Sequence, residues 1–178
     1  MQADSVNGTT GAKRHYETIL TELYEKHYDR ITHYVYSRIG NKAEAEDLAG
    51  EVFLKALESL KSYKERGVPM QAWLFRIAHN LVVDHLRKMT KRKTVDIDTV
   101  NIASGINPEI VAEKNIEFEQ VTQAMEQLSP AQKEIIRLRF LGGLTSKEVG
   151  SVLNKSDGAV REAQRSAIEK LRKILSVV

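Results

Sequence analysis

Cysteine is absent from the 178-residue chain, which excludes a disulfide framework, a thiolate nucleophile, an iron–sulfur cluster and Cys-ligated zinc. No run approaches the roughly 20 apolar residues that span a bilayer, and residues 1–15 lack the apolar segment of a secretory signal. No membrane insertion and a cytoplasmic location are therefore expected. Phosphate-cradling and nucleophile-elbow motifs (GxxxxGK[ST], GxGxxG, GxSxG) do not occur, and the five histidines form neither HExxH nor another metal-ligand spacing. The carboxylates Glu44, Glu46, Asp47 and Glu51 have no histidine beside them in their segment to complete a di-iron pattern. The expectation is a protein with no enzymatic activity, no cofactor and no metal.

The residues that are present suit a folded, soluble chain: 42% apolar and 29% charged, enough for one ordinary domain or two small ones. The net charge of +3 is unevenly spread. Residues 1–93 carry 16 lysines and arginines against 12 acids, residues 94–119 carry 1 against 6, and residues 120–178 carry 10 against 6. Two basic blocks flanking an acidic connector suggest two surfaces that meet polyanions, although a charge run is also compatible with a merely solvated face.

Only three prolines occur, and Pro69, Pro108 and Pro130 each stand where a helix can begin. Asn41 with Glu44, Ser129 with Gln132 and Thr145 with Glu148 have the spacing of capping boxes. Strand-like alternation is confined to a short acidic stretch around Val95 to Ile102. The pattern predicts an all-α protein with helices over 16–39, 42–60, 70–91, 108–127, 130–141, 145–153 and 157–175. They divide into a polar amino-terminal tail (1–15), a first helical module (16–93), a flexible acidic linker (94–107) containing Ser104-Gly105, and a second module (108–178).

In the second module, Val149, Val152 and Leu153 share one face of a short helix, Asn154-Lys155-Ser156 makes a three-residue break, and Ser156 can cap the last helix. Val160, Ala163, Ala167, Leu171 and Ile174 then form a narrow apolar stripe. This is the spacing of a helix-turn-helix, whose second helix presents its first turns to the major groove. The opposite face carries Asp157, Arg161, Glu162 and Arg165. Arginine can donate a bidentate pair to guanine, glutamate can accept from cytosine, and Lys155 or Ser156 can reach phosphate.

In the first module, Ala45, Leu48, Ala49, Val52, Ala56 and Leu60 make one stripe, widened by Phe53 and Leu57. Glu46, Asp47 and Glu51 remain on the surface, as a protein-docking face or as plain solvated acids. The third helix places Trp73, Ile77 and Leu81 on one side, with Arg76, Asn80, Arg87 and Lys88 outward, and closes on Lys91-Arg92-Lys93. Asn80 is suited to reading a base edge among cations for phosphate, and Tyr63 to stacking on an unpaired base.

Three blocks at these separations, Asp47-Leu48-Ala49-Gly50-Glu51-Val52-Phe53, Trp73 through Lys88, and Leu128-Ser129-Pro130 with the helix-turn-helix, resemble bacterial RNA polymerase sigma factors of the extracytoplasmic-function group, group 4 of the sigma-70 family. The resemblance implies a sigma-2-like module over 16–93 and a sigma-4-like module over 108–176, with the linker along the polymerase channel. It implies that Glu46, Asp47, Glu51 and Phe53 dock on the β′ coiled coil. Tyr63 to Val68, with Lys64 and Arg66, together with Arg76, Asn80, Arg87 and Lys88, would melt and read the −10 element. Lys155, Ser156, Asp157, Arg161, Glu162 and Arg165 would read the −35 element as duplex. The implied partners are core RNA polymerase (β′ coiled coil and β flap), promoter DNA and an anti-sigma factor, with nucleoid association in the active state.

The family commonly has Gln where Gly50 stands, and Ile-Ala where Val149-Gly150 stands. It commonly has Thr where Ala159 stands and Lys-Ser where Arg161-Glu162 stands, which bears on the identity of the −35 sequence. A duplex-binding regulator that acts without replacing the polymerase specificity subunit explains the second module equally well, but gives the Trp73 to Lys93 block no purpose.

Overall fold

The computed structural model describes residues 5–63, 68–95 and 115–176, and among these every regular element is helical. Seven α-helices run through them in order: α1 (Ser5–Ile39), α2 (Lys42–Ser59), α3 (Met70–Val95), α4 (Asn115–Glu126), α5 (Pro130–Ile136), α6 (Ser146–Leu153) and α7 (Asp157–Ser176). A 3₁₀ turn, Leu60–Ser62, extends α2, and α5 widens into a π turn over Arg137–Leu141. The expected polar tail is helical from Ser5 onward, forming the first turns of α1. Thr94 and Val95, expected to open the linker, instead close α3. Positions 96–114, which hold the rest of the linker and the start expected for the fourth helix, lie outside the described residues.

The helix boundaries follow from local chemistry. α1 stops at Gly40, whose φ of 72° is a left-handed conformation natural to glycine. Asn41 then caps α2 by accepting from the Glu44 amide at 3.0 Å. Ser129 and Thr145 form reciprocal capping boxes. The Gln132 amide donates to Ser129 Oγ (3.2 Å) and the Ser129 amide to Gln132 Oε1 (3.0 Å). The Glu148 amide donates to Thr145 Oγ1 (3.2 Å) and the Thr145 amide to Glu148 Oε2 (2.7 Å). Such caps contribute about 1 kcal/mol each, enough to set the start of a short helix.

Helices α1, α2 and α3 pack around Ile31, Tyr34, Val35, Val52, Phe75 and Val82, all fully or nearly fully buried. The α2 stripe expected from periodicity is buried throughout, while Leu57 is partly exposed. α3 departs from the expected pattern. Its most buried residues are Ala72, Leu74, Phe75, Ala78 and Val82, whereas Trp73 and Ile77 are only half-buried. The reason is that three elements, α1, α2 and α6, pack on α3.

Consequently the core does not end at the module boundary. Ile135, Leu138, Leu144, Val149, Val152 and Val160 belong to the same contiguous apolar cluster as the residues of α1 to α3. A smaller cluster of Leu128, Ile136 and Ala167, with Met125, Ile168 and Leu171 against it, ties α4, α5 and α7 together. The two halves, expected to move independently, are packed into one body.

Gly50 lies mid-helix in α2, and a methyl group there would meet nothing within 4 Å. Glycine inside a helix is less favourable than alanine by about 1 kcal/mol. Gly50→Ala is expected to stabilise the fold by about 0.5–1 kcal/mol, read as a higher urea midpoint with an unchanged slope. A lower midpoint would show that the backbone at Gly50 is not helical.

Candidate nucleic-acid interface

The turn between α6 and α7 is built by three side-chain and backbone choices. Asn154 adopts φ 55°, ψ 47°, the left-handed conformation asparagine tolerates better than most residues. Its geometry lets the Lys155 amide donate to the Gly150 carbonyl at 2.9 Å. Gly150 makes this approach possible, since a Cβ there would stand 2.5 Å from the Lys155 carbonyl oxygen. Ser156 then caps α7 by accepting from the Ala159 amide at 3.1 Å. Val160 and Ala167 hold the inner face of α7, with Ala163, Leu171 and Ile174 partly buried along the same stripe.

The outer face of α7 is a row of exposed charges in ordered pairs. Asp157 accepts from Ser146 Oγ at 2.6 Å and pairs with Arg161. The Ser146 hydrogen bond, seconded by Arg161, holds the Asp157 carboxyl below its usual range. Arg165 bridges Glu162 at 2.8 Å and Glu169 at 3.0 Å, and the Glu162 hydrogen bond raises the Arg165 guanidinium above its ordinary value. Exposed pairs of this kind contribute little to stability, typically under about 1 kcal/mol. Their guanidinium groups are held extended in water and can exchange a carboxylate for a base edge or phosphate. Lys155 and Ser156 are exposed at the entry to the helix.

In the first module, Asn80, Arg87 and Lys88 are exposed on α3, and Arg87 pairs with Asp84 at 2.5 Å. Lys91, Arg92 and Lys93 continue the exposed basic end, where the helix C-terminus also favours cations. Tyr63 is half-buried: its hydroxyl donates to the Val68 carbonyl at 2.8 Å and its ring lies 5.0 Å from that of Trp73. Lys64 and Arg66 lie outside the described residues. Arg76 is engaged by the second module, donating to the Ser151 carbonyl and, at 3.1 Å, to the Ser151 hydroxyl.

On α2, Glu46, Asp47 and Glu51 are exposed, and Lys55 reaches Glu51 only at 4.0 Å. Phe53 turns inward, 5% exposed, with its ring 4.9 Å from Tyr24 and 6.1 Å from Tyr28. The apolar residue this face does present is Leu54, 63% exposed. Helical periodicity carries the reason. Phe53 is one position from Val52 and four from Ala49, which places it on the margin of the buried stripe, and two tyrosines of α1 cover it.

Sequence reasoning missed the polar centre between the halves. Glu134 on α5, 6% exposed, accepts from the Tyr34 hydroxyl, from Arg38 at 2.6 Å and from His79 Nδ1 at 3.0 Å, with Arg137 3.8 Å away. Burial pushes its carboxyl upward, but the His79 bond, the Arg38 charge and the Tyr34 hydroxyl together outweigh burial and hold it below its usual value. Burial, then the Glu134 charge, drives the Tyr34 phenol far above its ordinary range. The one sequence signal was a glutamate directly before Ile135-Ile136 in an amphipathic helix.

Among the described residues no group of three or more histidines or acids could hold a metal ion, and no helix is long and apolar enough to cross a membrane.

Comparison with known proteins gives the arrangement its relatives. Sigma-70 region 2 matches residues 23–92 and Sigma-70, region 4 matches residues 124–173. The ECF RNA polymerase sigma factor BldN of Streptomyces coelicolor is 35% identical over 155 residues, covering 86% of this chain and 59% of that protein. The chain thus spans about three fifths of the length of that relative. The ECF RNA polymerase sigma factor SigW of Bacillus subtilis is 27% identical over 164 residues, covering 86% of this chain and 87% of that protein. Among solved structures, the sigma factor RpoE of Bartonella quintana, in complex with the anti-sigma factor NepR, superposes with a TM-score of 0.70 at 21% identity, covering 88% of this chain and 96% of that one. CnrH, in complex with the cytosolic domain of CnrY, gives 0.68 at 21% identity, covering 94% of each chain. These two likenesses concern the fold. The sigma-70 family is not a family of catalysts. With region 2 and region 4 matched in order on an all-helical chain, and with relatives of the same group along most of its length, the protein belongs to the sigma-70 family, in its extracytoplasmic-function group.

Proposed function

We propose that this chain is a specificity subunit of RNA polymerase, which joins the core enzyme and directs initiation by holding the −10 element as open strand and the −35 element as duplex. The observation that carries the reading is the exposed face of α7, with Arg161 and Arg165 one turn apart and Glu162 beside them, behind a turn that requires Gly150. A duplex reader accounts for that face, and the exposed Asn80, Arg87, Lys88 and basic end of α3 give a second, separate nucleic-acid surface, to which Arg76 of the same helix belongs once it is free of Ser151. Extruding a base costs a few kcal/mol, which contacts to the open strand must offset.

The acidic surface of α2, with Leu54 among Glu46, Asp47 and Glu51, supplies the docking face for the β′ coiled coil. Phe140, 65% exposed beside Leu141 at the end of the π turn, offers an apolar contact for the β flap. The protein performs no catalysis itself: polymerase supplies it, and the site of action is the cytoplasm, at the nucleoid. The two similar solved structures hold anti-sigma partners, which supports an anti-sigma factor as a further partner of this chain.

Arg165→Ala tests the assignment. It is expected to weaken recognition of the preferred −35 duplex by about 1–3 kcal/mol, the scale of one good base contact, measured by anisotropy with the chain bound to core polymerase. An unchanged ranking of −35 variants would reject Arg165 as a base reader.

A further inference from the structure

Beside the Glu134 centre lies an open cleft of about 490 Å³ that is short of negative charge. It is lined by Arg38 of α1 and His79 of α3, and by Lys133, Glu134 and Arg137 with Lys155 of the α6–α7 turn. The side chains of Arg38, His79, Lys133 and Arg137 are only 15–21% exposed, so much of their hydration is already lost. Two carboxylates answer four permanent cations. Glu134 uses one oxygen on the Tyr34 hydroxyl and His79 Nδ1 and the other on Arg38 at 2.6 Å. Glu126, exposed and outside the lining, takes Lys133 at 2.9 Å. Arg137 comes no nearer than 3.8 Å to Glu134, toward the oxygen that Arg38 already holds, and among the described residues its guanidinium makes no hydrogen bond. Burial holds that guanidinium below its ordinary value, with Glu134 opposing the shift and Arg38 adding to it. Lys155 has no ion pair among the described residues. Two positive charges are thus left over in a partly dehydrated cleft, where an opposite charge is attracted more strongly than in bulk water.

We infer that this cleft is a binding site for a phosphomonoester of nucleotide size. The site goes beyond the promoter reading and does not depend on it. A phosphomonoester carries about two negative charges at neutral pH, which matches the surplus. Its oxygens accept from a guanidinium in the forked, bidentate geometry that Arg137 can supply, and Lys155 adds a point charge. Glu134 is no obstacle, because its oxygens already accept from Tyr34, His79 and Arg38 and its side chain is 9% exposed. The volume sets the size of the ligand: about 490 Å³ falls within the range of small-molecule sites and exceeds what inorganic phosphate fills. Pro130 and Leu153 complete the lining with apolar contacts for the organic part. A ligand held only by the folded chain stabilises it, so binding raises the melting temperature.

Titration calorimetry on the full chain, without DNA or polymerase, tests the site with adenosine and guanosine 5′-monophosphates, inorganic phosphate and uncharged adenosine as probes. The two nucleotides are expected to bind saturably, at least about tenfold more tightly than inorganic phosphate, and adenosine to give no detectable heat. Arg137→Gln is expected to weaken nucleotide binding by about tenfold, the scale of one charge-assisted hydrogen bond, and to remove the nucleotide-dependent rise in melting temperature. Lys55→Gln, an equal loss of charge at an exposed position outside the cleft, is expected to keep the parental affinity. If circular dichroism shows that Arg137→Gln does not fold, Lys133→Gln decides in the same direction. Absence of saturable nucleotide binding by the parent, or equal affinities in the parent and the folded cleft variant, would overturn the site. Inorganic phosphate binding as tightly as the nucleotides would overturn the assigned ligand class. A loss in Arg137→Gln confined to promoter duplex would overturn it too, making the lining a contact for the DNA backbone.

Discussion

Reversing Asp47 and Glu51 to lysine is expected to lower affinity for core polymerase by about 100-fold while leaving the melting temperature nearly unchanged. The two carboxylates are exposed, one turn apart on α2, and Glu51 has only a long 4.0 Å contact with Lys55. Within the helix the reversal therefore costs a few tenths of a kcal/mol through like-charge neighbours. At a complementary interface, like charges brought face to face cost several kcal/mol, and about 3 kcal/mol corresponds to the 100-fold expected. Surface plasmon resonance with immobilised core enzyme measures the loss, and a thermal melt reads the fold separately. Retained affinity would remove this face from the docking surface. The neighbouring Phe53 contributes through the core, since its ring is buried against Tyr24 and Tyr28.

Gly150→Val is expected to produce the largest loss of stability. A Cβ at Gly150 meets the Lys155 carbonyl oxygen at 2.5 Å and the carbonyl carbons of Lys155 and Ser156 at 3.5 and 3.6 Å. These are backbone atoms at the entrance to α7 and cannot swing aside as a side chain would. Relief requires moving the start of α7 away from α6, which disturbs Val160 in the core and breaks the 2.9 Å bond from the Lys155 amide to the Gly150 carbonyl. Overpacking of this kind costs about 3 kcal/mol, a drop of roughly 6–12 °C in melting temperature for a chain of this size. A melt coincident with the parent would show that the turn is wider than described. The opposite expectation at Gly50, where a methyl meets nothing, makes the pair a control for glycine propensity alone.

Features set by near neighbours along the chain are legible in the sequence. The capping residues Asn41, Ser129 and Thr145, the three-residue break at Asn154-Lys155-Ser156 and the apolar stripe of α7 depend on spacings of three to four residues, and the structure shows each in place. Features set by distant partners are not. Arg76 has the spacing of an outward-facing cation, and only the approach of α6 turns it to Ser151. Periodicity puts Trp73, Ile77 and Leu81 on one side of α3, and it cannot say that α1, α2 and α6 all pack on this helix and bury Leu74, Phe75 and Ala78 as well. Glu134 gives little sign of its role, since its three main partners lie 55 to 100 positions away. The same limit explains Tyr63, whose ring rests on Trp73.

Promoter-directed initiation is tested most directly by run-off transcription with purified core RNA polymerase on genomic fragments, with and without this chain. A specificity subunit gives discrete transcripts, each starting at a fixed distance from one −10 and −35 pair, that form only when the chain is added. Identical products with and without the chain, from a protein that still binds duplex promoter DNA on its own, would contradict that role and point instead to a regulator that leaves the polymerase specificity subunit in place.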